Sequence, residues 1–144
     1  MNKPIAIACD HGGYELKLQI MQYLTEKGYA YTDYGTNSNA SVDYPIYAKK
    51  VCAAIQEGAS DLGILICGTG IGMSMAANKQ KGIRAACCTD TFSARFTRLH
   101  NDANVLCLGA RVLGAGLALD LVDLFLTTPF EGGRHSNRIA LLED

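Results

Sequence analysis

The sequence predicts a three-layer αβα sandwich with a five-stranded parallel β-sheet. Short, near-continuous apolar runs alternate along the 144-residue chain with longer stretches whose apolar residues recur at helical spacing. Continuous apolar runs are typical of strands buried on both faces, and alternation of strands with helices is typical of βαβ units. We therefore expect residues 1–144 to form one α/β domain of the Rossmann-like kind, with right-handed crossovers.

Five apolar runs are the candidate strands, and amphipathic stretches separate them. The candidate strands cover residues 5–9, 29–34, 62–67, 83–88 and 105–108. Residues 14–27 predict a helix that ends at Gly28, and Pro45 predicts the first turn of a helix that runs to about Gly58. Further helices are predicted after Gly72, around residues 91–100, over 117–126 and in the segment after Gly133.

Composition narrows the classes of ligand. The chain has 13 Lys and Arg residues against 14 Asp and Glu residues and a net charge of −1, without a block of basic residues. Such a chain lacks the charge that binds nucleic acid or an anionic membrane, so we expect a small polar ligand. The apolar run near the N-terminus is too short for a signal peptide, and no segment has the length of a membrane span, which predicts a cytoplasmic protein.

The cysteines predict a reducing environment. The chain has six cysteines, mostly inside apolar runs, without the paired C-x-x-C spacing of a zinc site or a redox motif. Free cysteines of this kind usually pack as small apolar residues. Cys67 differs from the others because it stands where a candidate strand opens into a loop of alternating glycines.

Polar clusters follow three of the candidate strands. They are residues 10–13, 67–70 and 109–111. In open parallel sheets, ligands bind beyond the carboxyl ends of the strands. The three clusters are therefore predicted to share one edge of the sheet and to form the binding site there.

The loop that follows Cys67 allows several interpretations. Gly68, Gly70 and Gly72 let the backbone direct N–H groups at an anion, although a simple tight turn explains glycines equally well. A cysteine phosphatase needs an arginine six residues after the cysteine, and here Met73 occupies that position, which excludes this class. The spacing of the three glycines also matches the G-x-G-x-x-G fingerprint of dinucleotide-binding proteins poorly. The remaining interpretation is a cysteine base acting next to a carbonyl, with backbone amides stabilising the oxyanion.

The histidines and two C-terminal arginines are further candidates. His11, His100 and His135 all lie in polar motifs, and histidine suits proton transfer near neutral pH. The motif around His100 is equally compatible with a polar turn in which Asn101 or Asn104 takes a left-handed conformation. Arg134 and Arg138 lie four residues apart on a predicted helix, where they form either a phosphate site or a solvated pair.

Five ordered motifs extend from the first strand to about Arg138. They are Asp10-His11-Gly12-Gly13, Asp43-Tyr44-Pro45, Cys67-Gly68-Thr69-Gly70-Ile71-Gly72, His100-Asn101-Asp102-Ala103-Asn104 and Gly132-Gly133-Arg134-His135. Together they resemble the ribose-5-phosphate isomerase B family, within the wider group that includes galactose-6-phosphate and allose-6-phosphate isomerases.

The resemblance implies an enzyme that works without a metal or cofactor and interconverts ribose 5-phosphate and ribulose 5-phosphate in the pentose phosphate pathway. It also implies a homodimer, alone or paired into a tetramer, whose site lies between subunits and whose segment from about residue 130 contributes to the dimer. Two alternatives stay open. One is a six-carbon sugar-phosphate isomerase of the same group, and the other is a non-catalytic module that binds sugar phosphates.

The resemblance also assigns roles to individual residues. Cys67 corresponds to the base that moves the proton between C1 and C2 through an enediolate, His100 to the group that opens the sugar ring, and Thr69 to a group that holds the enediolate. The other substrate-binding residues that it implies are Asp10, His11, Gly68, Gly70, Ile71, Gly72, Asn101, and the phosphate ligands Arg111, Arg134 and Arg138. We expect the three arginines to lie at the same edge of the sheet as the thiol and the glycine loop.

Overall fold

The computed structural model describes residues 3–144 as a five-stranded sheet with helices on both faces. None of the helices in this range is long and apolar enough to span a membrane. The elements in chain order are β1 (Ile5–Cys9), a 3-10 turn (His11–Gly13), α1 (Tyr14–Glu26), β2 (Tyr31–Asp33), α2 (Tyr44–Gln56), β3 (Gly63–Cys67), α3 (Ile71–Asn78), β4 (Ala85–Cys87), α4 (Thr91–Asn101), β5 (Val105–Gly109), α5 (Ala115–Thr127) and α6 (Arg134–Leu142).

The strand order is β2-β1-β3-β5-β4, and every pair is parallel. The chain winds outward from β1 to β2, returns to β3 and then winds the other way to β4 and β5. This reversal places a topological switch point between β1 and β3, where open α/β sheets bind their ligands. The predicted five-stranded parallel sheet is confirmed.

Alternating side chains of the strands build two cores. Ile5, Ile7 and Ile64 pack on one face with the buried sides of α1, α4 and α5. Ala6, Leu65 and their neighbours pack on the other face with the buried sides of α2 and α3. Because both faces of the central strands are covered, the apolar runs have no polar alternation, and the predicted three-layer arrangement is confirmed.

The element boundaries differ from the predicted ones mainly at the two edge strands. β2 and β4 have three residues each, whereas longer runs were predicted, because an edge strand has a neighbour on one side alone. The motif around His100 does form a turn with a left-handed residue, but that residue is Asp102, with φ of 45°, and not Asn101 or Asn104 as the turn interpretation held.

A buried lysine joins α1 to the segment that follows β2, and no pattern in the sequence predicted it. Lys17 is 0% exposed. Its Nζ donates to Asp33 Oδ1 and to the Thr36 carbonyl, both at 2.6 Å, and to Asn37 Oδ1 at 3.2 Å. Asp33 in turn accepts the Gly35 N–H at 2.9 Å. The ammonium group thus fixes the chain beyond the carboxyl end of β2.

Replacing Lys17 by alanine is expected to destabilise the protein by about 3 kcal/mol, because it leaves buried acceptors without their donor. The free energy of unfolding in urea measures this loss. Gln19→Ala, at an exposed position on the same helix, is the control and should stay within about 0.5 kcal/mol of wild type. A Lys17→Ala variant as stable as the control would contradict the structural role.

Candidate active site

The segments that follow β1, β3 and β5 are joined by backbone hydrogen bonds. Asp10 N donates to the Ile66 carbonyl at 3.1 Å, Ala110 N to the Cys67 carbonyl at 2.9 Å, and Arg111 N to the Gly68 carbonyl at 3.0 Å. These bonds bring the three predicted polar clusters together at one edge of the sheet, as the sequence predicted. We call this edge, where the strands end, the carboxyl edge.

Glycines allow the backbone to pack closely at the carboxyl edge. A Cβ on Gly13 would lie 2.6 Å from the Ile66 carbonyl oxygen, and one on Gly109 would lie 2.6 Å from the Thr69 carbonyl oxygen. Gly70 has φ of 80°, a conformation that side-chain-bearing residues rarely adopt. The glycine loop, residues 68–72, therefore lies against the neighbouring backbone in a way that alanine would not permit.

The Cys67 thiol lies inside the start of the glycine loop and is 5% exposed. Gly70 N donates to its Sγ at 3.1 Å, and α3 begins at the next residue. Thr69 is exposed, and its Oγ1 accepts the Ile71 N–H at 3.2 Å. A sulfur that accepts an N–H at the positive end of a helix is well placed to carry negative charge.

The other five cysteines are poor nucleophiles. Burial raises the pKa of Cys9, Cys52 and Cys88 to about 11. Burial also raises the pKa of Cys87, with a smaller contribution from Cys67, and it raises that of Cys107 well above the ordinary value. These thiols stay protonated at neutral pH, and the four buried ones, Cys9, Cys52, Cys88 and Cys107, serve as packing groups.

Asp10 and His11 line the same edge. Asp10 is buried, and its Oδ1 accepts the N–H groups of Gly12 at 2.9 Å and Gly13 at 3.2 Å. His11 Nδ1 accepts the Val42 N–H at 3.2 Å, so the ring proton resides on Nε2, which is available to donate to a ligand. Both predicted residues lie at the carboxyl edge beside β3.

Tyr44 is a neighbour of the site that was absent from the predicted site residues. It begins α2, and its ring contacts Gly72, where an added Cβ would lie 2.8 Å from the ring atoms Cε1 and Cζ. The Asp43-Tyr44-Pro45 motif was a signal in the sequence, but spacing alone does not show that α2 begins next to the glycine loop. Tyr44 thus forms one wall of the site.

Arg111 supplies positive charge at the carboxyl edge. It follows β5 and is exposed, and its side chain packs along Gly68, whose added Cβ would lie 3.6 Å from Arg111 Cδ. Arg111 forms no salt bridge within residues 3–144. An unpaired guanidinium beside backbone N–H groups is suited to binding an anionic ligand.

His100 and Asn101 lie at the opposite edge of the sheet, where the strands begin. They end α4, which leads back from the carboxyl edge to the start of β5. The Asn101 carbonyl accepts from Arg84 Nε at 3.0 Å, and Arg84 directly precedes β4. Glu131 N donates to the Leu99 carbonyl at 3.0 Å and attaches the segment before α6 at this same place.

Arg134 and Arg138 are exposed on α6, next to the end of α4. From Gly63 to Cys67, β3 alone spans about 13 Å, so these arginines lie far from the thiol of their own chain. The expectation that all three arginines share one edge is therefore wrong within a single chain. We call His100, Asn101, Arg134 and Arg138 the amino-edge residues.

The two histidines beside α6 form a stacked pair. The rings of His100 and His135 are 4.2 Å apart at an interplanar angle of 16°, and Phe96 meets His100 edge-on at 5.0 Å. His135 is 3% exposed. Burial lowers the pKa of His135, and the neighbouring His100 lowers it further. His135 is thus a buried, neutral packing partner of His100, although its polar motif made it a candidate for proton transfer.

The fold and the site together define a class of protein. The sheet is doubly wound and Rossmann-like, and a thiol, a glycine loop and an arginine at its switch point form a site for a small anion. The chain belongs to the Ribose/Galactose Isomerase family, whose model matches residues 5–142.

The relatives of the chain agree with this assignment. The chain is 50% identical to ribose-5-phosphate isomerase B of Escherichia coli over 95% of its own length and 92% of that relative. It superposes on the Clostridium thermocellum ribose-5-phosphate isomerase B with a TM-score of 0.96, 53% identity, and coverage of 97% and 95% of the two chains. The Mycoplasma genitalium ribose-5-phosphate isomerase B, solved with bound ribulose-5-phosphate, gives a TM-score of 0.94 at 43% identity and covers 99% and 95%.

Acidification is expected to weaken the folded state through His135. Because its pKa in the folded protein lies below the ordinary 6.5, its stabilising effect is complete above that value and is lost as the pH falls through the folded pKa. The free energy of unfolding of wild type should therefore fall more than that of His135→Gln between about pH 7.5 and about pH 5.5. His11→Gln is the control and should behave as wild type does. Equal decreases in the free energy of unfolding of wild type and His135→Gln would contradict this role of His135.

Proposed function

We propose that the chain is an aldose–ketose isomerase that interconverts ribose 5-phosphate and ribulose 5-phosphate. The observation that carries the proposal is the Cys67 thiol, which accepts the Gly70 N–H at the start of a glycine loop at the switch point of the sheet. Relatives named ribose-5-phosphate isomerase B, including one solved with ribulose-5-phosphate, support this choice of substrate.

In the proposed reaction, the Cys67 thiolate removes the proton from C2 of the open-chain aldose. The electron pair moves onto the carbonyl oxygen and forms an enediolate, and return of the proton to C1 with proton exchange between the oxygens gives the ketose. The N–H groups of residues 68–72 and the Thr69 hydroxyl stabilise the enediolate oxygens in this proposal. Two of these N–H groups, those of Gly70 and Ile71, donate to Cys67 Sγ and Thr69 Oγ1 within the chain, so the substrate would share or displace these bonds. Atoms and electrons balance without a redox cofactor.

Proposed contacts to the substrate come from both edges of the sheet. Asp10 and His11 contact sugar hydroxyls, and Arg111 contacts the phosphate at the carboxyl edge. Guanidinium groups match phosphate oxygens in pairs, which suits Arg134 and Arg138 to the same phosphate. His100 opens the sugar ring by proton transfer, and Asn101 holds the open chain.

Because these groups lie at opposite edges of one chain, we propose a homodimer in which each site combines the carboxyl edge of one chain with the partner's amino-edge residues. A two-fold dimer would form two such sites. Exposed apolar side chains near both edges support an interface. Met75 on α3 is 62% exposed, and Leu141 on α6 is 74% exposed. The segment from about residue 130 would then contribute to the dimer.

We place the proposed enzyme in the cytoplasm, in the pentose phosphate pathway. The chain has six free cysteines, which a reducing compartment preserves.

A direct assay tests the proposed reaction. Purified protein in buffer with a chelator should convert ribose 5-phosphate to ribulose 5-phosphate, and it should convert allose 6-phosphate less efficiently. Binding of ribose 5-phosphate without any interconversion would instead favour a non-catalytic module. A preference for allose 6-phosphate would favour a six-carbon isomerase.

Cys67→Ala is expected to lower kcat by roughly a hundredfold to ten-thousandfold and to leave binding of ribose 5-phosphate nearly unchanged, because it removes the base and keeps the phosphate contacts. Steady-state kinetics and calorimetry measure the two effects. Cys87→Ser is the matched control, since Cys87 lies against the same loop and its Sγ contacts the Thr69 carbonyl at 3.7 Å. Unimpaired turnover in Cys67→Ala would rule out the cysteine mechanism.

A further inference from the structure

We propose that His100, Glu131 and His135 form a binding site for a divalent transition-metal ion of the zinc type. The three side chains come from the last turn of α4, the segment before α6 and the first turn of α6. One ligand atom of each lies within 4.8 Å of the other two. The site is distinct from the Cys67 thiol and shares only His100 with the proposed reaction.

The distances within this cluster are close to those between the ligands of one metal ion. His100 Nε2 lies 3.6 Å from Glu131 Oε1, and His135 Nε2 lies 3.7 Å from Glu131 Oε2. Both distances are too long for a hydrogen bond. Ligands bound to tetrahedral zinc at about 2.0–2.1 Å lie about 3.4 Å from one another, close to the distances seen here. Because an imidazole binds a metal in its own ring plane, the partly exposed His100 ring must rotate out of its stack on His135 to complete the coordination.

An unpartnered buried nitrogen supplies independent support. His135 Nε2 has no hydrogen-bond partner within the described residues, and its side chain is 4% exposed. Leaving a buried polar atom unpaired costs free energy that a bound ion would recover.

The donor atoms select the class of ion. Two imidazole nitrogens and one carboxylate form a common zinc ligand set that leaves a fourth position open to water. Magnesium and calcium prefer oxygen ligands, so they should bind poorly here. The side chains of His100 and Glu131 are partly exposed, which gives an ion from solution access to the site.

Binding at this site would also inhibit the enzyme, an effect that rests on the proposed function. A metal bound to His100 Nε2 engages the side chain that is proposed to open the sugar ring. Zinc should therefore inhibit turnover reversibly, and a chelator should restore it. Ribose 5-phosphate should reduce zinc affinity, because both ligands use His100.

Titration of metal-stripped protein with Co²⁺ tests the site through the visible absorption of the bound ion. We expect one ion per chain, without the near-ultraviolet charge-transfer band that a thiolate ligand produces. His135→Gln and Glu131→Gln should each weaken binding by about tenfold or more. His11→Gln, which removes the one histidine outside the cluster, should bind as wild type does.

The outcomes separate this inference from the proposed function. Three results would each overturn the metal site. They are no saturable Co²⁺ binding, a Co²⁺ affinity that is unchanged in both Glu131→Gln and His135→Gln, and a thiolate charge-transfer band. Because Glu131 is exposed, its variant tests the site even if His135→Gln does not fold. Cobalt binding by a protein that never converts ribose 5-phosphate would overturn the isomerase proposal and leave the metal site supported.

Discussion

The parallel direction of all five strands is the constraint on which the rest of the structure depends. It places every segment that follows a strand at the carboxyl edge and every segment that follows a returning helix at the amino edge. Cys67 and Arg111 therefore lie together, whereas His100 ends α4 at the other edge. A chain of this topology holds both groups of residues that the family resemblance assigns to the substrate, but it cannot bring them together by itself.

Close backbone packing determines the shape of the carboxyl edge. Gly13 lies against the end of β3, and Gly109 lies against the glycine loop, at distances that exclude a side chain. The loop is thereby fixed between β1 and β5, with the Gly70 N–H held on Cys67 Sγ and the Ile71 N–H held on Thr69 Oγ1. Amides that are already oriented need no reorganisation when charge develops on a substrate. Such preorganised donors are usually the largest single contribution to catalysis in sites that stabilise an oxyanion.

The sequence predicted the elements and the thiol because these depend on local patterns. Apolar periodicity located the strands and helices, and the position of Cys67 at a strand end identified the loop. It could not predict that Lys17 is buried, since its partners lie more than 15 residues away: Asp33 ends β2, and Thr36 follows it. Nor could spacing place Arg134 and Arg138, because the path of the chain after α5 depends on tertiary packing of α6 beside α4.

The central claim is that two chains build each site, and subunit complementation tests it most directly. A Cys67→Ala chain and an Arg134→Ala/Arg138→Ala chain should each have little activity alone. Co-expressed with different tags, they should form mixed dimers with one intact site out of two, so a random mixture should recover about a quarter of wild-type activity. Two results would contradict a site built by two chains. One is a mixed dimer that is verified by mass and has no activity, and the other is full wild-type activity in a monomer.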